Sequence, residues 1–276
     1  MASVVDLSAS WAPGCHLQSG CGFPAPGTEI FQFPTIAEFT FLGITFAIDK
    51  PVILIIISSV LIILFFTIAF AKPRMVPGRI QSIGEVSYVF IRDQISRETI
   101  GKAGDKYIAF LFSLFFFVFL VNFMGIVPGA QFTPNALFVY PVSLAVMVWL
   151  TYMFIGLKNQ GPIKFFTNMM FPPGVAKPVL VILAPIEVIS NVFIRPFTLA
   201  IRLMANMFAG HLLLVVFGVA ALYLASPSVI GILGSAVSGV MVIVFTGFEF
   251  LIEGLQAYIF VLLTASYIAG SLSNEH

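Results

Sequence analysis

Charged residues are scarce in this sequence, and their scarcity excludes most classes of soluble protein. Only 9% of the 276 residues are Asp, Glu, Lys or Arg, and 59% are hydrophobic. A soluble domain carries about a quarter charged residues. The formal net charge of +1 argues against the clustered basic face that nucleic acid requires. The composition therefore predicts an integral membrane protein, with the lipid bilayer as its main solvent.

Cysteine and histidine are also rare. Two cysteines, Cys15 and Cys21, cannot supply a four-ligand metal site, so no metal and no cofactor is expected. Their spacing leaves a small-loop disulfide and two free thiols equally open. Of the histidines His16, His211 and His276, only His211 lies in an apolar run, which excludes the paired haem ligands of a redox subunit. The chain lacks a G-x-x-x-x-G-K-[ST] sequence, so we expect no nucleotide site and no catalytic site in it.

The first 50 residues differ in composition from the remainder. They contain four prolines, four acidic residues and no long apolar run before residue 51. The beginning of the chain lacks the basic and apolar regions of a cleavable signal. We interpret 1–50 as a flexible tail and 51–276 as the membrane domain.

Uncharged runs divide the rest of the chain. The run 51–71 has no charge over 21 residues, close to the roughly 20 that cross the hydrocarbon core. Two similar runs follow, and after them two longer stretches that are mostly apolar. The pattern predicts an all-α protein with about five membrane helices, at 51–71, 107–127, 136–157, 179–225 and 229–272.

The last two runs are unusually long. They contain 47 and 44 residues, and helices of that length would be roughly twice as long as the hydrocarbon core is thick. Each run is either a hairpin of two spans or one strongly tilted helix, and the absence of clustered turn residues inside them favours tilted helices. Small residues four positions apart predict close helix packing; they are Gly231, Ser235 and Gly239.

Basic residues predict the orientation of the chain. The segment 72–106 holds seven of the 13 Lys and Arg residues, so the positive-inside rule places it in the cytoplasm. With five spans, the N-terminus is then outside and the C-terminus cytoplasmic, as in a bacterial plasma membrane protein. Within this segment, 80–102 mixes apolar and charged residues, which favours an amphipathic interfacial helix over a solvated loop.

Ionisable residues inside the long runs are candidates for function because charge is costly in the bilayer. Arg202 lies 23 residues from both ends of its run, too far for its side chain to reach the interface. An arginine keeps its proton, so it acts as a fixed positive charge. The other ionisable residues of the two runs are Glu187, Arg195, His211, Glu249 and Glu253.

Helical geometry sorts these residues into faces. Arg195, Arg202 and Asn206 fall within roughly 40° of one another around the helix, and His211 points about 180° away from Arg202. The last run carries a second stripe at spacings of four and three, formed by Glu249, Glu253 and Gln256. Acids, an amide and a histidine can pass protons when water reaches them.

Other interpretations account for part of this pattern. Arg202 could pair with Glu249 or Glu253 to hold two helices together, with His211 as a core histidine. A purely structural scaffold, however, does not need two acids and a histidine beside one arginine. A proton-coupled transporter would use similar residues but predicts an internal repeat, which the sequence does not contain.

Three stretches resemble subunit a of F-type ATP synthases. PFTLAIRLMANMFAGHLL, at 196–213, resembles the family signature, in which Arg-Leu, Ala/Gly-Asn and Ala-Gly occur in this order. FEFLIEGLQAYIFVLLTASY, at 248–267, resembles the family's last helix with its Leu-Gln-Ala-aromatic core. The segment 122–128 matches the family's Asn-x5-Pro.

The resemblance implies roles for these residues. Arg202 would be the essential arginine facing a carboxylate of the rotor, with Asn206 and Gln256 as its neighbours. His211 and Glu249 occupy two positions at which other members carry an acid and a histidine in swapped order.

Two features depart from the family pattern. Glu253 has no counterpart in it. The spacing between Glu187 and Pro196 is one residue longer than in the family.

The implied function is that of a membrane stator with two offset proton half-channels. Protons would pass from outside by way of Glu249, Glu253, His211 and Gln256 to the c-ring, and leave to the cytoplasm by way of Glu187. Arg202 would block direct leakage between the half-channels. The implied protein partners are the c-ring and the peripheral-stalk b subunits.

Overall fold

The computed structural model describes residues 17, 22–23, 25–31, 33–41, 44–170 and 177–272. In this part of the chain, five helices are long and apolar enough to cross a membrane. The all-α membrane fold is therefore confirmed. Cys15, Cys21 and His276 lie outside the described residues. The five helices are Lys50–Phe70, Gly101–Phe123, Val139–Gln160, Leu183–Tyr223 and Val229–Leu272.

The segment before the first span contains a β-hairpin, where the sequence predicts a flexible tail. Strand β1 (Ala37–Phe41) pairs antiparallel with β2 (Ile44–Ile48), and Thr40 lies opposite Thr45. A single 3-10 turn, Thr28–Phe31, precedes the hairpin. The prediction of a flexible tail is wrong here, since alternating apolar and polar residues form strands even between proline-rich stretches.

Helix α1 (Lys50–Phe70) has no polar face, as expected of a helix surrounded by lipid. Helix α2 (Arg79–Phe90) continues as a π-helical turn, Ile91–Arg97. The segment predicted to be an interfacial helix or a loop is thus helical. A 3-10 turn, Gly101–Tyr107, then leads into α3 (Ile108–Phe123), which ends before the predicted residue 127.

The second half of the chain consists almost entirely of helix. After α4 (Val139–Gln160) and a short α5 (Pro162–Met170), α6 (Lys177–Ile189) passes through a π-helical turn, Ser190–Ile194, into α7 (Arg195–Tyr223). The last helix, α8, is Val229–Leu272.

Each of the two long runs is one helical run in which the chain does not reverse direction. The candidate spans contain 41 and 44 residues, which corresponds to roughly 62 and 66 Å of helix. The alternative of two-span hairpins is therefore wrong. Helices of this length fit a hydrocarbon core of about 30 Å only if they tilt strongly or extend beyond it.

The described chain divides into two compact units. The first unit consists of the described parts of Met1–Val60, Phe119–Leu137 and Ala205–Leu255. The second unit consists of the described parts of Leu61–Val118, Phe138–Met204 and Gln256–His276.

In the first unit, the end of α7 and the beginning of α8 pack closely. The Ser235 hydroxyl donates to the Ala221 carbonyl at 2.8 Å, and the Phe217 and Phe245 rings stack with centroids 5.1 Å apart. Gly231 lies directly against Ser226, whereas Gly239 has open space around it. The prediction of small-residue packing is confirmed at Ser235 and Gly231 only.

Phenylalanine rings pack together in the second unit. The Phe66 ring meets the rings of Phe112 and Phe116 edge-on, with centroids 4.7 and 4.9 Å apart. In the π-helical turn that follows α2, the side chains of Ile91 and Ile95 are fully buried. Charged residues of the same π-helical turn lie at the surface, where Arg92 pairs with Asp93 at 2.8 Å. This turn is thus amphipathic.

Candidate functional site

Two glutamates and a histidine are buried in the first unit. The exposed fractions of His211, Glu249 and Glu253 are 5%, 3% and 0%. No carboxylate oxygen of either glutamate has a hydrogen-bond partner among the described residues. Because a buried ionisable group without a partner is costly, these side chains are the candidates for a functional role in this unit.

Glycines make room for both carboxylates. A Cβ atom on Gly210 would lie 3.0 Å from the Glu249 Oε1, and one on Gly125 would lie 3.3 Å from the Glu253 Oε1. Larger side chains at these positions would push the carboxylates aside. The close approach of backbone to carboxylate therefore fixes where each acid lies.

A buried polar cluster lies beside Glu253. The Asn135 side chain donates to the Asn122 Oδ1 at 2.6 Å, and the Thr133 hydroxyl donates to the Val121 carbonyl at 3.3 Å. Asn122, Thr133 and Asn135 are at most 1% exposed. The cluster surrounds the Gly125 turn that contacts Glu253, so this acid has polar neighbours in an otherwise apolar unit.

Two phenylalanine rings, those of Phe31 and Phe132, pack against the His211 imidazole. The Phe31 and Phe132 ring centroids each lie 5.8 Å from the imidazole centroid, and Phe31 stacks on Phe208 at 4.6 Å. Phe31 belongs to the 3-10 turn before the β-hairpin. The segment predicted to be a flexible tail thus covers one side of the buried histidine.

A cavity of about 470 Å³ borders the same histidine. Gly125, Gln131 and Thr246 contribute to its wall together with aliphatic side chains of α7 and α8. Because a water molecule occupies about 30 Å³ in the liquid, the cavity has room for water. Water here would connect His211 to the polar groups that line the cavity.

Arg202, in the second unit, has a different environment. Its side chain is exposed, although it lies at position 20 of the 41-residue span Leu183–Tyr223. It forms no ion pair with a described residue of its unit. A guanidinium at the middle of a membrane-spanning helix needs an anionic partner or water.

Glu187, in the second unit, accepts a hydrogen bond within its own helical run. The Asn191 side-chain amide donates to the Glu187 carbonyl at 2.8 Å and to its carboxylate Oε2 at 3.2 Å. The Tyr152 hydroxyl donates to the Asn191 carbonyl at 2.6 Å. Asn191 lies in the π-helical turn, which accommodates one residue more than an α-helical turn.

The remaining predicted residues divide between the units. Gln256 is 1% exposed in the second unit, so the stripe of Glu249, Glu253 and Gln256 on α8 is buried throughout. Asn206 is exposed in the first unit. Arg195 lies over the Tyr267 ring, with its Cζ 5.3 Å from the centroid, as expected of a residue with a packing role.

The described residues contain no group of three His, Cys, Asp or Glu side chains able to hold a metal ion.

Comparison with known proteins identifies the family of this chain. The family model described as ATP synthase A chain matches residues 52–269. The chain belongs to the ATP synthase A chain family. The ATP synthase subunit a of Streptomyces lividans is 44% identical over 263 residues, which cover 95% of this chain and 92% of the relative. The corresponding subunits of Frankia alni and a Nocardioides species are 39% and 36% identical, and cover 92% and 93% of this chain and 88% and 96% of the relatives.

Membership in the ATP synthase A chain family confirms the resemblance deduced from the sequence around Arg202. The family function is that of the proton-conducting stator in the membrane sector of F-type ATP synthase. The five candidate spans agree with a multi-pass membrane protein in this role. The family match also includes most of α8, which carries the buried acids.

Sequence reasoning missed several neighbours of these residues. Thr133 and Asn135 had a usable signal, since they are polar residues in a link between two spans. Asn191 had a weaker signal, as a polar residue four positions after Glu187 in an apolar run, and Tyr152 had none. Phe31 had none, because aromatic residues occur throughout this chain.

Proposed function

We propose that the seven residues predicted from the sequence carry protons through two offset half-channels next to the c-ring. The observation that carries the proposal is the position of Arg202, an exposed arginine at the middle of an apolar helical run. A charge at this position requires a partner of opposite sign, and a carboxylate on a neighbouring subunit supplies one. The proposed residues are Arg202, Glu249, His211, Gln256, Asn206, Glu253 and Glu187.

The first half-channel takes protons from outside. Glu249, Glu253 and His211 are buried ionisable groups in one unit, and the cavity beside His211 gives space for water. Gln256 continues the buried stripe along α8. A proton passed along these groups neutralises the c-ring carboxylate, which can then face lipid because it no longer carries charge.

The second half-channel releases protons to the cytoplasm by way of Glu187. Arg202 attracts the deprotonated ring carboxylate, assisted by Asn206, and its positive charge repels protons that would otherwise leak between the half-channels. Each charge that crosses 100 mV supplies about 2.3 kcal/mol, so several crossings must accumulate for each ATP. Nucleotide chemistry takes place on other subunits.

We also propose the setting of the chain. Besides the c-ring, the peripheral-stalk b subunits hold this stator against rotation. The basic segment 72–106 supports a bacterial plasma membrane protein with its N-terminus outside and its C-terminus in the cytoplasm.

Replacement of Arg202 tests the proposal. Inverted membrane vesicles carrying Arg202→Ala would be assayed for ATP-driven acidification, ATP synthesis and passive proton leak. We expect both coupled activities to be lost while the complex still assembles, and leak to rise. Arg97→Ala is the control, because it removes an arginine that is paired with Asp105 at the protein surface. Near-normal pumping by Arg202→Ala would contradict the proposed mechanism and indicate a packing role.

A further inference from the structure

The helix that carries Arg202 changes its winding once, at the π-helical turn Ser190–Ile194. Such a turn contains one more residue than an α-helical turn, so residues before it are rotated by about 100° relative to those after it. In an uninterrupted α-helix, Glu187 would lie roughly 80° from Arg195 around the axis. With one residue absorbed in the turn, the angle falls to roughly 20°. The turn therefore brings Glu187 onto the same face of the helix as Arg195.

A tyrosine from another helix braces this turn. The Tyr152 hydroxyl, on α4, donates to the Asn191 carbonyl at 2.6 Å, and Tyr152 is 2% exposed. A buried hydroxyl in an apolar environment is costly unless it is hydrogen-bonded, so this contact selects the winding that presents the carbonyl to it. Tyr152 thus stabilises the π-helical turn at Asn191.

Asn191 connects the turn to the acid. Its side-chain amide is held between the Glu187 carbonyl and the Glu187 Oε2, at 2.8 and 3.2 Å, and Asn191 is 8% exposed. A donor in this position restricts the rotamers of the carboxylate and aims one of its oxygens at the amide. The other oxygen, Oε1, then has a defined direction in which to accept or release a proton.

Aromatic contacts extend this arrangement to Arg195. The Tyr152 and Tyr267 ring centroids are 5.6 Å apart, and the Arg195 guanidinium lies over Tyr267. The second unit contains all five residues of this arrangement, which are Glu187, Asn191, Tyr152, Tyr267 and Arg195. The Glu187 carboxylate is therefore held by a contiguous set of side chains that packing alone does not require.

We propose that Asn191 and Tyr152 are positioning residues, which act through the π-helical turn to hold the Glu187 carboxylate in its proton-transferring orientation. This inference rests on the proposed role of Glu187 in the second half-channel. It assigns a function to a change in helix winding and to two residues outside the predicted proton pathway.

The test measures ATP-driven pumping in inverted vesicles for Asn191→Ala and Tyr152→Phe, each in the wild-type and the Glu187→Gln background. We expect Asn191→Ala to lower the pumping rate roughly tenfold because it removes a hydrogen bond to a charged group, and Tyr152→Phe roughly fivefold because it removes one between neutral groups. Neither variant should have a further effect beside Glu187→Gln. Tyr152→Phe keeps the ring and loses only the hydroxyl, so it remains informative if Asn191→Ala assembles poorly.

Two matched controls accompany these variants. Asn159→Ala removes an asparagine that also donates to the carbonyl four residues earlier, at 2.9 Å, but lies outside the cluster. Tyr258→Phe removes a hydroxyl from a tyrosine of α8 whose ring contacts Phe90. Both controls should pump at the wild-type rate.

The outcomes separate the inference from the proposed function. If Glu187→Gln slows pumping while Asn191→Ala and Tyr152→Phe do not, the positioning role is wrong and the role of Glu187 stands. Equal losses in both backgrounds would show a structural effect independent of Glu187 and would also overturn the inference. If Glu187→Gln pumps normally, the proposed role of Glu187 fails, and the positioning role fails with it.

Discussion

In the first unit, Glu249 and Glu253 are 3% and 0% exposed and their carboxylates have no hydrogen-bond partner among the described residues. In the second unit, Glu187 is only partly buried and accepts a hydrogen bond from Asn191. Acids without fixed donors can exchange protons with water in several orientations, whereas a held acid offers one. This contrast agrees with the proposed function, in which the acids of the first unit take up protons and Glu187 releases them in one orientation.

The arginines show a similar contrast within the second unit. Arg92 and Arg97 lie at the surface and pair with aspartates at 2.8 and 3.0 Å. Arg202 is exposed at the middle of a span and has no such pair among the described residues of its unit. The surface pairs of Arg92 and Arg97 thus contrast with Arg202, for which we propose a partner carboxylate on a neighbouring subunit.

The largest effect is expected when Glu253, one of the two buried acids of the first unit, is replaced. Glu253→Leu should reduce ATP-driven pumping roughly 100-fold, since it removes a proton-transfer group. The complex should be as stable or up to about 2 kcal/mol more stable, because an apolar side chain of similar volume replaces an unpaired buried acid. Pumping in vesicles and thermal unfolding of the purified complex measure the two effects.

The control for this variant is Glu98→Leu, which removes an exposed glutamate. It should leave pumping unchanged. Near-normal pumping by Glu253→Leu, or a large loss of stability, would show that Glu253 belongs to the packing of the unit and would break the contrast with Glu187.

A smaller effect is expected from Gly210→Ala. The added Cβ would lie 3.0 Å from the Glu249 Oε1, so the carboxylate must move by a few tenths of an ångström. A displacement of this size should slow pumping roughly threefold. Gly239→Ala, where a Cβ meets nothing within 4 Å, is the matched control in α8. Identical rates for the two variants would mean that the position of Glu249 is not fixed by Gly210.

The smallest effect concerns a surface ion pair. The hydrogen bond from Arg92 lowers the pKa of Asp93, so the folded state favours its carboxylate form. This stabilisation is fully present above the unfolded pKa of about 3.9 and is lost as pH falls through the lower folded value. Hydrogen exchange at Ile91–Arg97, corrected for the intrinsic rate, should be constant from about pH 7 to 5 and should rise only below about pH 4.

Asp93→Asn gives the comparison for this prediction. The variant should show a smaller rise in corrected exchange below about pH 4, because it lacks the carboxyl group at 93 and keeps only Asp105, which pairs with Arg97. A rise in exchange already near neutral pH in the wild-type protein would indicate that a buried group, and not Asp93, controls the opening of this segment.

The sequence alone predicted the five spans and the family. Three uncharged runs of 21 or 22 residues and two longer, mostly apolar runs decide where the chain crosses the bilayer, since charge is costly there. The long runs 179–225 and 229–272 were predicted as tilted helices because they contain no turn signals, and each proved to be one helical run. The hairpin β1–β2 was missed because prolines and acids near it outweighed a short alternating pattern.

The sequence by itself determined the membrane fold and the positions of Arg202, Glu249 and Glu253 along their helices, because hydropathy, helical periodicity and the family motifs are local properties of a chain. Only the tertiary structure decided that Phe31 packs against His211, 180 positions later. Only the tertiary structure showed how Tyr152 and Asn191 hold Glu187 at a π-helical turn. Such contacts depend on which side chains fill the space between helices, and this cannot be deduced from the spacing of residues along the chain.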